Sequence, residues 1–324
     1  MKSTIGIILS ALLLVSRLGF AQGGHDTEQI TIGTDAWPGF IALYVAQDQG
    51  YFKELGLNVE VKHYPSLAAV SEAYEKTPMQ GRGNIALDAA KEKLSGVDHK
   101  IILAVNYSNG GDAVVAKKQV KSLSALSGKK VILQKGSLQD FFLSKVLADK
   151  KIAVNKQYRN PLDPMKQMAS LRSGESDFAV LYEPFLSEML SDSAFHSLYN
   201  SSQTPGLIVD VVTFKTDFVK AHPEAIRYFI QAYYKGLQFT REHPEEAYAI
   251  LAKHLKVEPA LLAKQFSGIM LLDQKDNVEA FAKNGGYWSL YNNLRMIDKY
   301  LRTEQAAPAE IDSTMLIDAD FVIK

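Results

Sequence analysis

Cysteine is absent from all 324 residues. That excludes disulfides, thiolate metal sites, a cysteine nucleophile and the acyl-cysteine anchor of a bacterial lipoprotein. Net charge is absent too: 36 Lys and Arg balance 36 Asp and Glu. With no basic cluster to break that balance, nothing supports a nucleic-acid partner. The seven histidines show no metal spacing; His222 and His243 precede prolines, and His63, His99, His196 and His254 are scattered. There is no Walker loop, no dinucleotide fingerprint and no Ser-His-Asp arrangement. The expectation is therefore no metal, no cofactor and no catalytic residue. Long apolar runs are missing as well, apart from one at the N-terminus.

That run, Ile5 to Val15, follows Lys2 and precedes Gly19-Phe20-Ala21. A basic start, a short apolar core and a small residue describe a cleavable signal peptide over 1–21, cut near Ala21. The alternative, an uncleaved anchor, is disfavoured because the run is short for a bilayer span. An exported, unanchored, cysteine-free chain fits the periplasm of a double-membraned bacterium, or secretion to the medium.

What is present begins with ITIGTDAWPGFIALYVAQDQGYFKELGLNVEVKHY, residues 30–64. A β-branched run (Ile30 to Ile32) breaks at Gly33 and Pro38. A helical pattern follows (Ile41, Leu43, Tyr44, Ala46, Tyr51, Phe52), then Gly56 and the alternating strand Leu57, Val59, Val61. Two strands about one helix predict a parallel βαβ unit with a right-handed crossover. Ligands of such units sit beyond the strand's carboxyl end, at the helix start. The loop there, Thr34 to Gly39, offers Asp35 and Trp37 as one wall of a ligand site.

Further along, Ser66 caps a helix to Lys76, Gly83 to Leu87 is a strand, and Asp88 caps a helix to Leu94. Lys100 to Tyr107 is a buried strand ending in Ser108-Asn109-Gly110-Gly111-Asp112. A second βα series runs from Ala113: strands at 113–116, 129–133, 154–158 and 177–181, with helices at 122–126, 139–148, 163–171 and 185–190. After Thr204-Pro205-Gly206 comes the apolar strand 207–214, and from Thr216 the pattern is almost wholly helical. His222-Pro223 and His243-Pro244 each start a helix with proline at its first position. The helical block carries the stripe Tyr228, Phe229, Ile230, Tyr233 and Leu237, which needs a partner surface, and the first α/β half supplies one. Crossovers near 107–112 and 206–212 then give two lobes, 22–110 with 212–324 and 111–211, joined by a two-segment hinge around a ligand cleft.

Residues 34–61, TDAWPGFIALYVAQDQGYFKELGLNVEV, resemble the N-terminal signature of periplasmic substrate-binding proteins of ABC importers. The branch is the one binding nitrate, taurine, alkanesulfonates and thiamine-precursor pyrimidines. NYSNGGDAVVAK, LSGKKVILQKGSLQDFFL, LRSGESDFAVLYEPFLSEM and TPGLIVDVVTFKTDFVKAHPEAIRYFIQAY resemble its later landmarks, in order, over essentially the whole mature chain. The resemblance implies a type II periplasmic-binding fold, α/β throughout, with the helical C-terminal part on the first lobe. It implies a solute-binding role, an ABC permease as partner and a monomer. Gln80-Gly81-Arg82-Gly83-Asn84 departs from the Gly-x-x-Asp-Ala strand start of relatives. The cysteine-rich motif of the pyrimidine-synthase relatives is missing. A periplasmic sensory module and an enzyme on the same scaffold are the alternative functions.

Asp35, Asp112 and Glu183 fall on what the resemblance makes cleft-facing loops. Asp88 and Asp140 sit at helix starts, where a carboxylate is usually a cap or dipole partner. Asp210 interrupts an apolar strand, so it must meet a ligand, a base or a crossover hydrogen bond. Trp37, Tyr107 and Tyr182 belong either to core edges or to stacking faces. Asn109 completes the polar crossover. Gly136-Ser137-Leu138-Gln139 opens a helix, with Gly136, Ser137 and Gln139 in the family's anion-facing element. Lys135 is the only base expected beside these loops, so carboxylates dominate. That balance favours an amine or nitrogen heterocycle, while helix starts alone still suffice for a sulfonate or nitrate.

Overall fold

The computed structural model describes residues 29–305, 307 and 310–322; the expected signal segment lies outside them. Eleven strands are formed among the described residues: β1 (Gln29–Thr34), β2 (Asn58–His63), β3 (Gly81–Ile85), β4 (His99–Ser108), β5 (Asp112–Lys117), β6 (Lys130–Leu133), β7 (Asn155–Tyr158), β8 (Phe178–Tyr182), β9 (Phe195–Asn200), β10 (Val209–Lys215) and β11 (Ile269–Leu271). They make two sheets, ordered β11-β4-β10-β3-β1-β2 and β7-β6-β8-β5-β9. The chain passes from the first to the second at 109–111 and returns over 201–208. The two passages are tied together: Ser201 Oγ accepts the Gly110 N–H at 2.7 Å and shares a 2.7 Å hydroxyl contact with Ser108.

The expected βαβ unit is present. β1 and β2 pair in parallel from Gln29 opposite Asn58 to Thr34 opposite His63. Between them the Ile41–Asp48 helix is buried from Ile41 to Ala46, so it is apolar on every side rather than amphipathic. Its outer side is covered by the Pro223–Glu242 helix. Phe229 of that helix stacks on Phe52 with centroids 5.3 Å apart, and the Tyr233 hydroxyl donates to the Val105 carbonyl at 3.2 Å. Pro223 and Pro244 each stand in the first turn of their helices, where proline lacks only an N–H that has no helical acceptor. The helical C-terminal part thus covers the first sheet. Its last long helix, Leu290–Glu304, also touches the second half: the Tyr300 ring meets Phe141 at 5.1 Å, and its hydroxyl donates to Asp140 Oδ2 at 2.9 Å.

Local expectations needed correction in three places. The strand expected at 83–87 ends at Ile85, and Ala86 opens the Ala86–Leu94 helix. Asp88 is therefore inside that helix's first turn and does not cap it; the cap position is Ile85, with no side-chain bond. Ala and Leu prefer helix, and Asn84 Oδ1 takes the Ile85 N–H at 2.9 Å, ending the strand early. β9 and β11 went unrecognised. β9 mixes polar and apolar residues, and β11 is three residues long, too short to show a period.

The irregular Gln80–Asn84 stretch has a specific content. Arg82 is 2 % exposed, pairs with Glu92, donates to Ser71 Oγ at 2.8 Å and lies 4.5 Å from the Tyr74 ring centroid. A buried guanidinium of this kind needs a carboxylate beside it, and Glu92 provides one from the next helix.

Candidate functional site

Strand direction explains why the polar residues meet. β1 and β3 run parallel and end together, whereas β10 is antiparallel to β3 and starts where they end, with Asp210 opposite Ile85. In the second sheet β5 starts where its antiparallel partner β8 ends, placing Asp112 opposite Tyr182. Loops at both sets of ends enclose a cavity of about 510 Å³. Its wall includes Asp35, Trp37, Phe40, Ile85, Asp88 and Asp210 from elements of the first sheet, and Asp112, Gln134, Ser137, Gln139 and Tyr182 from those of the second.

Trp37 is held rigidly. Its indole Nε1 donates to Asn106 Oδ1 at 3.2 Å, its backbone N–H donates to Asp35 Oδ1 at 3.2 Å, and it is 8 % exposed. Gly39 makes this arrangement feasible, because a Cβ there would collide with Asn106 Nδ2 and the Trp37 Nε1.

Three carboxylates share this end of the cavity. Burial pushes Asp35 up to about 6, against hydrogen bonds from the Trp37 and Asp35 backbone. Burial pushes Asp112 up to about 7; Ser108 counters it and the Glu183 charge adds to it. Asp210 is raised well above the usual carboxylate range, by burial first and then by the Asp35 and Asp112 charges, with Trp37 and Asn106 pulling it partly back. No basic side chain contributes to any of the three. Asp210 Oδ2 and Asn106 Nδ2 are both buried without a hydrogen-bond partner, a costly arrangement unless something else engages them.

Helix starts build another part of the wall. Ser66, Ser137 and Asp163 cap the helices Leu67–Lys76, Leu138–Lys150 and Pro164–Ser173, and all three line the cavity. Lys91 lines it too, reaching Asp88 Oδ1 at 3.1 Å and the Gly136 carbonyl at 3.0 Å. It thereby joins a helix of the first half to a loop of the second.

Eight of the twelve residues singled out from sequence stand in the wall: Asp35, Trp37, Asp88, Asp112, Ser137, Gln139, Tyr182 and Asp210. The other four stand outside it. The Tyr107 hydroxyl donates to the Trp288 carbonyl, and the Asn109 N–H donates to the Gly268 carbonyl at 2.8 Å. Gly136, at φ 72°, supplies backbone only: its N–H goes to Asp140 Oδ2 at 3.1 Å and its carbonyl to Lys91. Glu183 folds back onto the N–H and hydroxyl of Ser187 at 3.1 and 2.8 Å. The expected base, Lys135, points at the Tyr158 ring 6.0 Å away, and Lys91 takes its place in the wall. Lys91 and Glu92 escaped notice because only tertiary contact turns that face of their helix to the cavity. Ser66 and Asp163 were within reach of the helix-start rule that selected Ser137.

Among the described residues no group of three or more His, Cys, Asp or Glu is arranged to hold a metal, and no helix is long and apolar enough to cross a membrane.

Comparison with known proteins bears on the fold. Solved structures similar to this one include the periplasmic aliphatic sulphonate binding protein SsuA from Escherichia coli (TM-score 0.75, 15 % identity, covering 90 % of this chain and 92 % of that one). The alkanesulfonate-binding protein SsuA from Xanthomonas axonopodis pv. citri bound to MOPS gives 0.71 at 13 % identity, covering 90 % and 98 %. The periplasmic nitrate-binding protein NrtA from Synechocystis PCC 6803 gives 0.70 at 14 % identity, covering 91 % and 87 %. These likenesses establish the fold, that of the type II periplasmic binding proteins. The family model described as NMT1/THI5 like matches residues 37–247, and the chain belongs to the NMT1/THI5-like family.

Proposed function

We propose that this protein is the periplasmic solute-binding component of an ABC uptake system. It is exported as a monomer, traps a small molecule between two lobes and delivers it to an inner-membrane permease, with no chemical step. The lobes are residues 29–110 with 209–322, and 111–208, because β10 joins the first sheet from Val209 onward; the tied passages around Ser108, Gly110 and Ser201 serve as the hinge. The observation that carries this reading is a cavity whose wall draws on both sheets and combines aromatic faces with carboxylates. Ligand contacts to both halves stabilise the closed arrangement over an open one.

Trp37 and Tyr182 suit a flat ring, and the surplus of carboxylates suits N–H donors, so an amine or nitrogen heterocycle is the favoured ligand. The competing reading, an anion seated at the helix starts, draws on the sulfonate- and nitrate-binding neighbours.

A thermal-shift screen over amines, pyrimidines and sulfonates tests the assignment. A true ligand at a hundredfold over its Kd adds roughly 2.7 kcal/mol of stability. Asp35→Ala is expected to weaken that ligand with little loss of fold, whereas Trp37→Ala loses both affinity and core packing. Equal affinity of wild type and both variants for the same ligand would place the binding site elsewhere.

A further inference from the structure

The acidic end of the cavity constrains ligand charge more tightly than the outline above, and the constraint rests on reading that cavity as the ligand site. Asp35, Asp112 and Asp210 are 8 %, 2 % and 3 % exposed. The groups around them come from several elements. From β1 and its following helix come the Thr34–Tyr44 hydroxyl pair, at 2.5 Å, and Trp37. From β4 come Asn106 and Ser108, from β8 Tyr182, and from the return passage Ser201. His63 lies near the Asp35 backbone with its pKa lowered, first by burial. Glu183 adds negative charge to Asp112, and Lys264 acts on Glu183. Asp163 adds negative charge beside Tyr182. Lys256 and His254 act on His63; among the described residues no cation is paired with Asp35, Asp112 or Asp210, and Asp210 Oδ2 has no donor.

Burial raises all three carboxylates, and the Asp35 and Asp112 charges act against that of Asp210, so ionising all three together is unfavourable. A ligand bringing positive charge and several N–H donors supplies what these three carboxylates lack, since the wall's Lys91 is engaged by Asp88 and the Gly136 carbonyl.

We propose that the site takes its ligand as a flat nitrogen cation, an amidinium, guanidinium or protonated aminoheterocycle, whose N–H groups bond the buried carboxylates Asp35, Asp112 and Asp210 in exchange for protons. Trp37 and Tyr182 flank the ring. The exchange balances: each positive charge entering sends up to one proton from the carboxylates to the solvent buffer. Asp35 near 6 and Asp112 near 7, with Asp210 also raised by burial, bring this exchange toward the neutral range. Affinity for a permanent cation therefore climbs from pH 5 to pH 8, by about tenfold per unit for each proton displaced. A neutral ligand of the same shape shows no climb, and an anion shows the reverse.

The test uses three probes of one shape, benzamidine, benzamide and benzenesulfonate, titrated calorimetrically into the mature protein from pH 5 to pH 8. Each pH is run in two buffers with different heats of ionisation, which counts the protons released. Expected are benzamidine bound tightest at pH 8, about one proton released per ligand, and a flat pH profile for benzamide. Asp210→Asn, which keeps the shape and removes a charge, is expected to weaken benzamidine at least tenfold at pH 8 and to lower the proton count. A thermal melt of that variant confirms that it is folded. Benzenesulfonate binding tighter than benzamidine, or benzamidine binding with no pH dependence, overturns the cation proposal and leaves solute capture standing. So does failure of all three probes when another compound in the wider screen binds. Failure of every compound removes both readings.

Discussion

Two buried carboxylates, one on each side of the cavity, have opposite surroundings. Asp140, fully buried in the first turn of the Leu138–Lys150 helix, is met by donors from all around: the Gly136 N–H at 3.1 Å, Lys156 Nζ at 3.0 Å, the Tyr300 hydroxyl at 2.9 Å and, more distantly, Tyr158 and Gln305. Asp210, nearly as buried, has an oxygen with no donor and faces two other carboxylates. The first fastens the last long helix and strand β7 to the first turn of its own helix. The second has its strongest electrostatic neighbours arranged against its charge. A buried charge that is fully met by protein donors serves the fold, whereas one left unmet at a cavity wall is a demand placed on a ligand.

The largest expected effect comes from breaking the satisfied side. Asp140→Ala takes the nearest carboxylate from part-buried Lys156, which keeps Ser144 and Glu304, and leaves the Gly136 N–H and Tyr300 hydroxyl without their acceptor, costing roughly 3 kcal/mol. Chemical or thermal unfolding measures it, and a loss below about 1 kcal/mol would erase the distinction drawn between the two carboxylates. Intermediate in size is Asp112→Asn on the unsatisfied side. Folding raises Asp112 from its usual 3.8 to about 7. The native state thus keeps a proton that the unfolded chain has lost, and the stability this contributes is present below about pH 4 and fades as pH rises through 7. Asparagine imitates the protonated group. The ligand-free variant should therefore melt higher than wild type at pH 8, roughly 2–4 °C per kcal/mol, and equally at pH 4. A variant that melts lower at pH 8 would show Asp112 to be satisfied after all. The smallest effect belongs to Lys91→Ala, which removes a half-exposed link between Asp88 and the Gly136 carbonyl. Its expected cost is under about 1 kcal/mol. A larger loss of unfolding stability would mean that this link, and not only Asp140 and Tyr300, fastens the two halves.

The same pair of residues shows what sequence reasoning reached. Asp210 stood out in LIVDVVTF because a charge in an apolar strand requires an explanation wherever it is found. Asp140 did not stand out, since a carboxylate in a helix's first turn has a routine explanation as a cap. Its actual donors include Lys156, Tyr300 and Gln305, up to 165 residues away in the chain. Glu183 erred in the other direction. It follows a strand end, as Asp35 does, yet Ser187 four residues later claims both its oxygens. Lys91 and Lys135 look equivalent in a string of letters, and only the packing of the Ala86–Leu94 helix brings one of them to the wall.

The amino-acid order by itself determined the elements and their class. Alternation at Val59 and Val61, β-branched strand ends, N1 prolines and apolar helix stripes are local signals, readable wherever periodicity outlasts a turn. Only the tertiary structure decided which polar ends meet and which are already occupied. Those outcomes depend on antiparallel strands bringing Asp210 beside Ile85 and Asp112 beside Tyr182, and on donors remote in the chain meeting both oxygens of Asp140 while Asp210 Oδ2 goes without one. Hydrogen-bond satisfaction and desolvation are properties of three-dimensional surroundings, and one residue's neighbours in sequence do not specify them.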